Sequence, residues 1–71
     1  MLRDYVLTTN DAVITRSADR SKVARLHDTL LLQKYDQAND ECTNVEEGYD
    51  YHRSEWKSGT VIVFRTGSPN A

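Results

Sequence analysis

A chain of 71 residues, 38% hydrophobic and 28% charged, has room for one small core and is too apolar to remain unfolded. A net charge of minus two argues against a generally basic nucleic-acid-binding domain, and a single cysteine, Cys42, excludes an internal disulfide and with it a stapled secreted scaffold. The N-terminus lacks the apolar core of a signal peptide, and the longest apolar runs, Leu30 to Leu32 and Val61 to Phe64, are far too short to cross a bilayer, so a cytoplasmic location is expected.

In chain order, Asp4 to Thr9 and Ala12 to Thr15 are both rich in β-branched and aromatic residues, and Asn10-Asp11 lies between them. This predicts a hairpin. With a two-residue loop, Leu7 faces Ile14 with Tyr5 on the same side, and Val6 and Val13 share the other side; a longer loop or one bent strand is the alternative. Ser17 as N-cap, Asp19 in the first turn, and Val23, Leu26, Leu30 and Leu31 at spacings of three and four predict a helix from about Ala18 to about Ala38. Its stripe centres on Val23, Leu26 and Leu30 and widens through Leu31, Tyr35 and Ala38, while Leu32 falls opposite. Asn39 to Gly48 shows no sustained periodicity and reads as a connecting loop. Tyr49 to Trp56 and Thr60 to Thr66 then flank Lys57-Ser58-Gly59, a second hairpin with its turn near Gly59. The run Val61 to Phe64 is apolar throughout, as expected for a centrally placed strand.

The predicted fold class is therefore α+β, in the order hairpin, helix, hairpin (ββαββ). One amphipathic helix packs on a four-stranded, mainly antiparallel sheet. Residues 1–66 form a single domain and 67–71 a frayed tail.

The charges are segregated along the chain. Between Tyr35 and His52 stand Asp36, Asp40, Glu41, Glu46, Glu47 and Asp50 with no lysine or arginine, while the flanking segments are each net positive. A block of one sign creates a local potential that can steer or mimic a charged partner. Its first members also sit where the helix dipole is negative, and Arg16, Arg20, Lys22 and Arg25 crowd the opposite end. Stability does not favour either placement, which directs attention to function.

The chemistry-bearing residues form no recognisable motif. His27, Cys42 and His52 lack any metal-ligand spacing, so no metal or cofactor is expected. His27 falls on the apolar helix face, where a core histidine is the simpler reading. His27, His52, Arg53, Tyr49 and Tyr51 are general acid and base types, but Tyr49, Tyr51 and His52 abut the acidic block, which repels phosphate, so no catalytic residue is assigned.

Tyr49, Tyr51 and Trp56 edge the acidic block with the residue types most enriched in interface hot spots. Trp56 is out of phase with both tyrosines, so a regular strand exposes at least one of these rings. The leading expectation is a small non-enzymatic inhibitor or regulator of the viral or mobile-element type. Its protein-binding surface comprises Asp36, Asp40, Glu41, Glu46, Glu47, Asp50, Tyr49, Tyr51 and Trp56, docked on a basic groove of a larger, nucleic-acid-processing protein. The alternative is a nucleic-acid-binding regulator that uses Arg16, Arg20, Lys22 and Arg25, as a homodimer.

Overall fold

The computed structural model describes residues 3–36 and 40–67. Five strands and one helix follow in the order β1 (Asp4–Thr9), β2 (Ala12–Ser17), α1 (Arg20–Tyr35), β3 (Cys42–Gly48), β4 (Tyr51–Trp56) and β5 (Val61–Gly67). The strands form one antiparallel sheet in the order β2-β1-β5-β4-β3, with the helix on one face. The class is the expected α+β, but the layout is ββαβββ and the sheet has five strands. The missed strand is β3, whose residues after Cys42 are all exposed. Hydrophobic alternation marks a strand only when one of its faces is buried, and this edge strand buries neither. The helix is also shorter than expected, and Gly67, expected in the tail at 67–71, ends β5 paired with Asp4; Ala38 and residues 68–71 lie outside the described residues.

Asn10 and Asp11 form the two-residue turn of the first hairpin, with φ of 51° and 67°, the left-handed pair that a type I′ turn requires. The predicted facing of Leu7 and Ile14 is displaced, because Thr8 pairs with Val13 while Leu7 pairs with Thr15. Ile14 is thus the extra residue of a bulge and stays exposed. The turn is also tied to the sheet centre: Asn10 N–H donates to the Val61 carbonyl at 2.9 Å, and Val61 N–H donates to Asn10 Oδ1 at 2.8 Å. Glycine at position 11 relieves the left-handed strain while Asn10 keeps its bonds. Asp11→Gly is expected to raise stability by about 0.5–1 kcal/mol, read as a higher urea midpoint. An unchanged midpoint would show that the turn stores no such strain.

Asp19, not Ser17, caps the helix. Its backbone is extended and its Oδ1 accepts from Lys22 N–H at 3.3 Å, while Ser17 ends β2 and its Oγ accepts from Asp19 N–H at 3.1 Å. Val23 and His27 are buried and Ala24, Leu30 and Leu31 pack at the core's edge, but Leu26 is 39% exposed. The buried stripe is therefore turned from Leu26 toward His27 and Leu31. Leu32 points outward, as its phase predicts, at 65% exposure.

The core beneath the helix comprises Leu7, Val23, Trp56, Ile62 and Phe64. β5 is central, as its apolar run suggests, and sends Ile62 and Phe64 inward. The β4–β5 turn is closed by Gly59 N–H to the Trp56 carbonyl at 2.9 Å, with Gly59 at φ +93°. On the sheet's other face Val6 is 1% exposed without any helix above it. Its direct neighbours are Arg16 and Arg65, whose guanidinium groups reach past Gly67 beside it, so their aliphatic stems cover it. No helix of the described residues is long and apolar enough to cross a membrane.

Candidate functional site

The backbone of α1 runs over β1, β2 and β5 and reaches β4 only through side chains. One helix cannot cover five strands, so the helix-side surface of β3 and of the turn end of β4 is left open. A groove of about 480 Å³ results, walled by Arg20, Ala24, His27, Asp28 and Leu31 on α1 and by Glu47, Gly48, Asp50, Tyr51 and His52 on the hairpin, with Phe64 at its base. That volume lies within the range of small-ligand sites.

Two histidines remote in sequence meet in this groove. Their ring centroids are 4.8 Å apart in an edge-to-face arrangement, and His27 also stacks on Phe64 at 5.6 Å. Burial lowers the His27 pKa below its ordinary value, and the neighbouring His52 lowers it further, with Asp28 opposing. His52 Nε2 lies 3.3 Å from Glu47 Oε1, which orients its ring. His27 Nε2 and His52 Nδ1 are both buried without a hydrogen-bond partner. The core reading of His27 therefore holds for its burial but not for the hydrogen bond expected with it. The phase of β4, which sends His52, Ser54 and Trp56 to one side, was the available signal for this pairing.

The groove's open end is fastened by Arg20. Its Nε donates to Asp50 Oδ1 at 2.7 Å, and its guanidinium lies 5.9 Å from the Phe64 ring centroid. Asp50 has φ +48° in the two-residue β3–β4 turn, and its carboxylate bridges that turn to the helix. Beside it Tyr49 is 91% exposed, more than any other large hydrophobic side chain of the described residues.

The acidic block does not form one surface. Asp36 is the exposed helix C-cap. Asp40 is held at the opposite end of β3 by Lys34 Nζ at 2.9 Å and by Ser58 N–H and Oγ, contacts that keep its carboxyl below the usual carboxylate range. Glu41 is exposed, and its carbonyl accepts from Lys57 N–H. The length of β3, about 20 Å at 3.3 Å per residue, separates these from the turn. The register then splits the next pair: Glu46 opposes Arg53 on the open sheet face, and Glu47 opposes His52 on the groove side. Only Glu46, Glu47 and Asp50 gather around Tyr49. Tyr51 is half-buried in the groove wall. Trp56 is 3% exposed, with its Nε1 donating to Ser54 Oγ at 3.0 Å and Tyr35 edge-on at 5.4 Å.

The basic set is divided as well. Arg16 binds Asp4 at 2.8 Å on the face away from the helix, Arg20 binds Asp50, and Lys22 and Arg25 are exposed on α1. No protein-family model, curated protein or solved structure matches this chain.

Proposed function

We propose that this chain is a small non-enzymatic protein-binding module, an inhibitor or regulator. It sets the β3–β4 turn against a basic surface of a larger protein. The observation that carries this reading is Tyr49, a large aromatic side chain 91% exposed at the tip of an ordered turn, with Glu46 and Glu47 behind it. Exposing a tyrosine contributes nothing to folding. Held in place by the Arg20–Asp50 pair, it is pre-organised and loses little entropy on docking. The flanking carboxylates favour encounter with a basic partner. The footprint narrows to Glu46, Glu47, Tyr49 and the outer part of the groove. Asp40 and Trp56 serve the fold where they stand.

The test begins with capture of partners on the immobilised chain at low and high salt. For the partner so identified, Glu46→Lys with Glu47→Lys is expected to slow association by about tenfold or more at low salt, with the difference shrinking as salt rises. Tyr49→Ala is expected to speed dissociation by a similar factor. Association unchanged by the charge reversal would exclude this surface, and recovery of nucleic acid alone would exclude the protein-binding reading.

A further inference from the structure

The groove behind the turn has the chemistry of a receptor for one organic cation. Asp28, Glu47 and Asp50 line it against a single guanidinium, Arg20, which Asp50 already engages. Asp28 and Glu47 therefore leave the groove with surplus negative charge. Its two inner ring nitrogens have no hydrogen-bond partner. Because His52 Nε2 faces a carboxylate, the neutral ring keeps its proton there, and Nδ1 is left as a buried acceptor with no partner. His27 is 6% exposed, and its Nε2 is likewise buried and unpartnered beside the same space. Buried polar atoms are almost always bonded, and two orphans in residues that line one groove point to something that completes them. The walls add the apolar Ala24 and Leu31, with Phe64 at the base. A bare metal ion fits less well, since no group of three or more His, Cys, Asp or Glu is arranged to hold one among the described residues.

We propose that this groove receives one arginine side chain of the partner protein, an inference that rests on the docking of the neighbouring turn. The guanidinium supplies a planar fork of five donors for His52 Nδ1 and the carboxylates of Glu47 and Asp28. Lysine offers the charge without the fork. The turn then brings the basic partner into place, and the groove selects an arginine on it.

The probe is N-acetyl-arginine methylamide, titrated into the intact chain while the imidazole resonances of His27 and His52 are followed by NMR. The expected result is saturable movement of both rings, with citrulline and lysine analogues at least about tenfold weaker. Glu47→Gln, at an exposed edge-strand position, should weaken the probe by about the same factor without changing the amide spectrum elsewhere, whereas Tyr49→Ala should leave it bound. No saturable movement, an equal response to citrulline, or movement with zinc ions but not arginine would each overturn the proposal. The two readings fail separately. If the probe does not bind while Tyr49→Ala still impairs partner capture, the groove assignment falls alone; if it binds while Glu46→Lys and Tyr49→Ala leave partner association and dissociation unchanged, only the turn assignment falls.

Discussion

Alanine at Trp56 is expected to remove most of the fold's stability, by about 3–5 kcal/mol. A chain of this size has in total roughly 4–11 kcal/mol, at 0.05–0.15 kcal/mol per residue. The large effect follows from where the indole sits. It is 3% exposed in the same cluster as Leu7, Val23, Ile62 and Phe64, it carries Tyr35 against its face, and its N–H satisfies Ser54, itself 1% exposed. Truncation opens a cavity and leaves the Ser54 hydroxyl without its donor. Trp56→Phe keeps most of the volume but not the donor, so its loss should be intermediate. Urea unfolding followed by circular dichroism measures both. A loss at alanine below about 1 kcal/mol would show that the indole is not part of the core.

Acidification is the second large perturbation, through His27. The folded imidazole has a pKa lowered first by burial and then by His52, so below the ordinary value of 6.5 the unfolded chain binds a proton that the folded chain resists. Stability from this group is complete above pH 6.5. It declines as pH falls below that value toward the folded pKa, with a limiting slope of about 1.4 kcal/mol per pH unit for one proton. His27→Phe fills the same space beside Phe64 without a titratable nitrogen. The variant is expected to lose this part of the decline, seen by comparing urea midpoints at pH 8 and pH 5. An identical acid dependence in both proteins would assign it to other groups.

The parts of the fold that the residues announced are those whose burial follows a simple period. Val23, Leu30 and Leu31 mark the helix because a 3.6-residue repeat of apolar side chains has few other uses, and Val61 to Phe64 mark the central strand. Asn10-Asp11 and Gly59 mark turns because their backbones tolerate positive φ. β3 announced nothing, since an edge strand with both faces in water needs no apolar alternation. The candidate site was legible in kind but not in shape. Tyr49 with Glu46, Glu47 and Asp50 could be singled out by type and proximity. That Asp40 belongs to a structural knot with Lys34 and Ser58, and that His27 and His52 share a groove, depends on contacts between residues 18 and 25 positions apart.

Composition and local pattern alone determined the α+β class, the one helix after a first hairpin, the β4–β5 turn and a segregated charge, because propensity, turn chemistry and periodicity act over a few residues. Only the tertiary structure decided the fifth strand, the division of the acidic block between two ends and two faces of the sheet, and the groove. Those follow from strand register and from a single helix that covers one half of its sheet. Register is set by the packing of the whole sheet, and a shift of one residue would move Glu47 from the groove to the opposite face.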